Sequence, residues 1–258
     1  MSLPAEPNTV SAVARLIDHS LLHPTMTDAE VQHGLDISRK YHVATACIKP
    51  YSIPQAMETL KGTGVGICVV IGFPHGNSTT IVKVFEATEA MDTLQTFVRA
   101  GGEAGGPGLA EIDMVVNVGK VLSGEWGYVE HEIATIDAAV VARGGGLKVI
   151  FENDFLQHSH IAHLAEICAR VGVKFVKTST GFGFVKDAGG GYHYRGAQVE
   201  HIQIMRAGVG EKVQIKAAGG IRTLDQLLAA YRAGATRIGA TATEAMLSEA
   251  RARGWPEN

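Results

Sequence analysis

Eight short apolar runs recur along this chain, separated by stretches of helical periodicity, and that alternation is its strongest constraint. The runs fall at about 15–21, 43–49, 66–73, 111–117, 146–152, 175–179, 213–218 and 237–241. The helical stretches fall at 28–41, 54–61, 80–100, 128–143, 158–171, 197–208 and 224–233. Strands that alternate with helices build βαβ units on a parallel sheet. Eight units close economically into a (β/α)8 barrel, the α/β fold of TIM-barrel type, and 258 residues suit one such barrel. An open, doubly wound sheet alternates in the same way and is the competing architecture. Residues 1–258 are expected to form a single barrel domain, with about 1–12 and 250–258 as peripheral tails. Three glycine-rich connections, 101–108, 144–146 and 189–191, each fall inside one repeat and do not divide the chain.

Reading every second residue sorts the strands into faces. Over 111–117, Glu111, Asp113, Val115 and Asn117 alternate with Ile112, Met114 and Val116. Lys148, Ile150 and Glu152 alternate with Val149 and Phe151, and Phe175, Lys177 and Ser179 with Val176 and Thr178. Gln214 and Lys216 stand opposite Val213 and Ile215. A barrel strand turns its apolar face outward under the helices and can hold polar groups inside near the mouth. Asp113, Lys148, Glu152, Lys177 and Lys216 are therefore expected to point into one barrel. A sheet buried on both faces has no comparable home for them.

Lysine is almost never fully buried unless it is paired or working. Burial beside a second cation disfavours the ammonium form, and a neutral amine attacks carbonyl carbon to form a Schiff base. The working assignment makes Lys177 the nucleophile, Lys216 the cation beside it and Asp113 the group that moves protons. Pattern alone leaves the two lysines interchangeable. The bland alternative is an ion-pair network that plugs the barrel, but five charged groups from four strands favour function. Gly219-Gly220-Ile221-Arg222-Thr223 follows the seventh run, and Gly239-Ala240-Thr241-Ala242-Thr243 spans the end of the eighth. Loops in these positions form the usual phosphate site of such barrels, with backbone N–H groups and a helix N-terminus facing the anion. Gly181, in the turn after the sixth run, is a further donor; the alternative is that these glycines only make tight turns.

Other features exclude functions. A net charge of -3 gives no field for nucleic acid or an anionic membrane. Cys47, Cys68 and Cys168 are widely spaced, as free thiols of a reducing compartment would be. The first residues lack signal-peptide blocks, and no apolar run approaches the ~18 residues of a spanning helix, so a cytoplasmic protein is expected. His158, His160 and His163 read as a solvated helix face, and no metal site is expected. His75 is expected at the barrel mouth. Cys47 and Lys49 end the second strand on one face.

Six segments in order resemble the 2-deoxyribose-5-phosphate aldolase family. They are Ile17-Asp18-His19-Ser20-Leu21-Leu22, Gly72-Phe73-Pro74-His75-Gly76, Glu111 to Asn117, Leu147-Lys148-Val149-Ile150, Phe175-Val176-Lys177-Thr178-Ser179-Thr180-Gly181 and Lys216 to Thr223. The resemblance implies a class I aldolase without metal or organic cofactor, acting on a sugar phosphate and aldehydes; a homodimer is the candidate assembly. It gives the Schiff base to Lys177, its cationic partner to Lys216 and the proton relay to Asp113. Gly181, Gly219, Gly220, Arg222, Gly239 and Thr241 would hold phosphate, and Asp18, Ser20, Cys47 and Lys148 would surround substrate. A Schiff-base or transaldolase-like enzyme for another aldose is the runner-up, and a non-catalytic sugar-phosphate sensor would not need two buried lysines. Four departures stand out. Thr241-Ala242 replaces a usual serine pair, with Thr243 or a water as the substitute; Glu152-Asn153-Asp154-Phe155-Leu156 stands for the family's ETxxL-like segment after the fifth strand; 101–108 looks inserted; and Trp255-Pro256-Glu257-Asn258 stands where some members end in an active-site tyrosine.

Overall fold

The computed structural model describes residues 5–100 and 110–258, so the expected insertion at 101–108 lies outside the described residues. In chain order the strands are β1 (Ile17–Leu21), β2 (Thr45–Ile48), β3 (Gly66–Ile71), β4 (Ala110–Val115), β5 (Gly146–Ile150), β6 (Phe175–Lys177), β7 (Val185–Lys186), β8 (Tyr192–His193), β9 (Gln214–Ala218) and β10 (Arg237–Ala240). All but β7 and β8 pair in parallel, and β1 pairs with both β2 and β10, so the sheet closes into an eight-stranded barrel. Closure overturns the open-sheet alternative. The helices are α1 (Val10–Ala14), α2 (Asp28–Tyr41), α3 (Ile53–Leu60), α4 (Thr80–Ala100), α5 (Val118–Leu122), α6 (Trp126–Val141), α7 (His158–Val171), α8 (Val199–Val209), α9 (Leu224–Arg232) and α10 (Thr243–Ala252).

The faces follow the alternation. Ile112, Met114, Val149, Val176, Ile215 and Ala217 are fully buried in the main apolar core, whereas Asp113, Lys148, Lys177 and Lys216 are buried without belonging to it. Burying one such Val, Ile or Met side chain contributes about 1.5–3 kcal/mol. A one-residue slip would turn that whole set inward, and this fixes the register. Glu152 departs from the pattern: it lies beyond β5 with φ 59 and ψ 60, and this left-handed turn takes it out of the strand alternation. Asn117 departs too, since its Oδ1 accepts the Lys120 N–H at 3.2 Å and caps α5.

Local signals set the helix ends. Thr27 and Glu30 cap α2 reciprocally, with Thr27 N–H donating to Glu30 Oε2 at 2.7 Å and Glu30 N–H to Thr27 Oγ1 at 3.3 Å. The helix α7 stops at Gly172, whose φ of 83 suits glycine. Described residues of the two terminal segments bond to each other: Val10 N–H donates to Pro256 O and Ser11 N–H to Glu257 O, each at 2.9 Å. Val10 and Val13 are buried in the core, and Trp255 packs against it.

Candidate active site

The barrel floor is a ladder of charges built by register. Asp113 pairs across strands with Lys148, and Lys177 with Lys216. Asp113 Oδ2 accepts from Lys177 Nζ at 2.7 Å and from Lys216 Nζ at 2.8 Å, while Oδ1 lies 3.0 Å from Lys148 Nζ. Lys216 also reaches Asp18 at 2.7 Å, and Lys148 reaches Glu111 at 2.6 Å. Arg237 closes the bottom, 2.6 Å from Asp18 and 3.1 Å from Glu111. Thr178 locks β6 to β9 above the ladder: its hydroxyl donates to Ala218 O at 2.9 Å and accepts the Ala218 N–H at 3.0 Å.

Burial disfavours charge at Asp113, Lys216 and Lys148, yet proximity wins there. For Asp113, burial pushes the carboxyl up, but Lys148, Lys177 and Lys216 together hold it well below the carboxylate range. For Lys216, burial pulls the ammonium down, and the Asp113 and Asp18 carboxylates outweigh it, leaving the group well above the usual lysine value. Lys148 behaves likewise under Asp113 and Glu111. The two exchangeable lysines are thereby told apart. Lys216 stands between two carboxylates and stays an ammonium, whereas Lys177 has one carboxylate partner, whose oxygen it shares with Lys216.

Above the floor opens a cavity of about 700 Å3. Lys177, Lys216, Asp18, Ser20 and Cys47 line its lower part; Gly181, Gly219, Gly220, Arg222, Gly239 and Thr241 also line it. Asp113 and Lys148 lie beneath it and do not line it, so Lys148 acts on the ladder and not as a wall of the pocket. The loop after β9 is held from outside, because Ala197 N–H donates to Gly219 O at 3.0 Å and a side chain at Gly196 would strike that oxygen. Gln226 and Thr223 take up the free N–H groups that begin α9. The start of α10 has no such side-chain cap, since Ala242 occupies the N-cap position directly after Thr241 of the cavity wall. That end of the cavity suits an anion. Thr243 does not supply the substitute hydroxyl: it is buried, with Oγ1 2.8 Å from His19 Nδ1.

Other expectations are corrected. His75 is exposed and lines neither this cavity nor a second one of about 310 Å3 that shares Leu22 and Phe182 with it. Lys49 is drawn away from Cys47 and donates to His23 O at 2.9 Å. Glu152, instead of joining the ladder, accepts the Thr180 N–H at 3.1 Å and the Thr180 hydroxyl, bracing the turn that carries Gly181. The α7 histidines do face solvent as expected, the side chains of His158 and His163 being 55% and 40% exposed, with His160 and His163 beside Trp126 and His158 beside His201. Among the described residues the clusters with metal-ligand spacing are Cys47, Cys68, Asp113 and Asp18, Cys68, Glu111; the ammonium groups of Lys148 and Lys216 beside them oppose a cation. Sequence reasoning missed Arg237 and Cys68. Arg237 begins its strand, and Cys68 matters through being the register partner of Cys47, a pairing that only the folded sheet creates.

A closed parallel barrel with amines and glycine-rich loops lining a cavity at its C-terminal mouth has the form of a barrel enzyme working at that mouth. No protein-family model matches the chain. Curated relatives do. A deoxyribose-phosphate aldolase of Rhodopirellula baltica is 43% identical over 239 residues, covering 93% of this chain and 89% of the relative. One from Actinobacillus succinogenes is 40% identical over 235 residues, covering 91% and 93%. Among solved structures, the deoxyribose phosphate aldolase of Aeropyrum pernix, described as tetrameric, has a TM-score of 0.79 at 25% identity, covering 96% of this chain and 94% of its own. The chain belongs to the deoxyribose-phosphate aldolase family.

Proposed function

We propose that this enzyme is a class I aldolase that reversibly splits 2-deoxy-D-ribose 5-phosphate into D-glyceraldehyde 3-phosphate and acetaldehyde through a Schiff base on Lys177. The observation that carries the assignment is the shared oxygen of Asp113: Lys216 is bound there and by the Asp18 carboxylate as well, whereas Lys177 has Asp113 as its one carboxylate partner and lines the cavity. The Lys177 amine adds to the aldehyde carbon of the open-chain sugar, and loss of water gives an iminium. Removal of the C3 hydroxyl proton breaks the C2–C3 bond, sends its electron pair into the iminium and leaves an enamine. Protonation at C2 and hydrolysis release acetaldehyde. Asp113 Oδ2 is the acceptor in reach of the Lys177 proton, and Lys216 is the ammonium on the cavity wall able to return one. Gly181, Gly219, Gly220, Arg222, Gly239 and Thr241 take the phosphate, supported by the uncapped start of α10.

A single barrel domain over 1–258 belongs to the same reading, supported by the bonds between α1 and residues 256–257. So do a homodimer, to be checked by sedimentation, and a cytoplasmic location, supported by three free thiols; no helix among the described residues is long and apolar enough to cross a membrane. The test is borohydride reduction with acetaldehyde in the presence of a chelator. An ethyl group should appear on Lys177. A label on Lys216 would reverse the assignment, and no label on either lysine would overturn the mechanism.

A further inference from the structure

Two thiols stand side by side at the cavity floor, and the carbonyl chemistry uses neither. Cys47 on β2 and Cys68 on β3 are register partners. Their Cα atoms are therefore one interstrand spacing apart, about 4.8 Å, within the span of a disulfide. Their Sγ atoms are 3.8 Å apart. Both side chains point to the same face, so a bond between them needs side-chain rotation more than backbone movement. Their access differs. Cys47 lines the 700 Å3 cavity, and Cys68 is sealed behind it. Each thiol has an ammonium beside it: Lys216 Nζ is 3.8 Å from Cys47 Sγ, and Lys148 Nζ is 3.0 Å from Cys68 Sγ. Hydrogen bonding with Cys68, together with the Lys216 ammonium, holds Cys47 below the ordinary thiol value although burial opposes this. Burial and the neighbouring Cys47 and Asp113 push Cys68 the other way. The cavity-facing member is thus also the better nucleophile.

We propose that Cys47 and Cys68 form an oxidisable dithiol, a modification site for hydroperoxides whose closure to a disulfide turns the aldolase site down. Cys47 sulfur attacks a peroxide oxygen. The O–O bond breaks, the leaving oxygen takes the thiol proton, and with hydrogen peroxide water departs, leaving a sulfenic acid on Cys47. Cys68 sulfur then attacks Cys47 sulfur, its own proton passes to the departing oxygen as a second water, and the S–S bond forms. Two thiols lose two electrons and the peroxide gains them. The consequence for the site follows from one contact: Cys68 Sγ lies 2.9 Å from Asp113 Oδ1 as a donor. A disulfide sulfur has no proton to give, so Asp113 loses that donor. Turnover should fall roughly tenfold or more, the worth of a hydrogen bond to a charged group.

The experiment treats the whole enzyme with hydrogen peroxide and follows turnover beside a non-reducing peptide map. The expected result is lost turnover, a peptide linking Cys47 to Cys68, unmodified Cys168 as internal control, and recovery of both turnover and free thiols in dithiothreitol. In Cys68→Ser the link cannot form, and Cys47 should instead be trapped as a sulfenic acid by dimedone. If that variant does not fold, the wild-type map decides alone. Turnover lost without the Cys47–Cys68 link would overturn the proposal, and so would a link that leaves turnover intact. The activity readout rests on the aldolase reading, whereas the link does not, so the two can fail separately.

Discussion

Two buried lysine sites in this barrel have opposite electrostatic fates. Lys216 lies inside, between Asp113 and Asp18, and stays firmly charged. Lys83 lies outside, on the inner face of α4, with Nζ 3.0 Å from Glu132 and donating to Val115 O at 2.8 Å. Both side chains are essentially fully buried. At Lys83 burial outweighs the carboxylates of Glu132 and Glu86 and the ammonium is held below its usual value; at Glu132 burial likewise pushes the carboxyl up. The outer pair leans toward neutrality while the inner ladder keeps its charges. A lowered lysine value is therefore no mark of a working lysine. Lys83 has one, but it ties α4 and α6 to the end of β4, away from the cavity.

The sharpest break between the regions should come from substitution. Lys177→Leu is expected to cut turnover by about 10^4-fold or more, since it removes the bond-forming atom. Lys216→Leu should also impair turnover severely, because Asp113 loses the cation that shares its oxygen. Steady-state assays on folded protein check both. Lys83→Met should instead cost about 3 kcal/mol of stability, the penalty for stranding a buried partner, and leave turnover per folded molecule unchanged. Adding Glu132→Leu should recover most of that loss in a urea titration. A Lys83 variant with normal stability and poor turnover would erase the distinction.

A smaller effect belongs to His19, another group of the outer layer that favours neutrality. Burial holds His19 at about 4. The sign follows directly: neutral His19 stabilises the fold above its unfolded value of about 6.5, and this contribution is lost as pH falls toward 4. Between pH 7 and pH 5 the wild type should lose about 2 kcal/mol that His19→Asn does not. The ladder carboxylates, held low, contribute a loss only below about pH 4, so the windows separate. Equal losses in both proteins, measured by urea titration at the two pH values, would refute the argument. Smallest is the effect at α10. Ala242→Ser restores a hydroxyl at the uncapped helix start and should lower KM for deoxyribose 5-phosphate about tenfold, leaving free deoxyribose almost unaffected. A wild type that already prefers the free sugar would break the phosphate assignment.

Much of this was legible in the sequence, for physical reasons. All eight barrel strands announced themselves because each must bury an outward apolar face, and the same alternation placed Asp113, Lys148, Lys177 and Lys216 inside. The bounds of α2 and α7 were readable from periodicity and flanking residues. The five-residue helices α1 and α5 were not, because they are too short to display a period. The β7–β8 hairpin has only two residues in each strand. Contacts set by closure were invisible as well. Arg237 meets Asp18 only because the last strand returns to the first, and Thr243 is lost to the anion only because His19 holds it. Glu152 misled because a single left-handed residue ends the alternation. His75 misled because nearness to a strand end does not fix which way a side chain turns.

One oxygen atom, Asp113 Oδ2, receives both Lys177 and Lys216. Mutational losses at these residues therefore cannot be treated as separate sums. Removing either amine changes what that oxygen offers the other, so the first substitution already disables a unit, and the second finds little left to take. The two lysines come from neighbouring strands as register partners, and double-substitution measurements should find their effects strongly non-additive. An enzyme built this way has few partial intermediates between full function and almost none. Selection on the pair must act on both residues together.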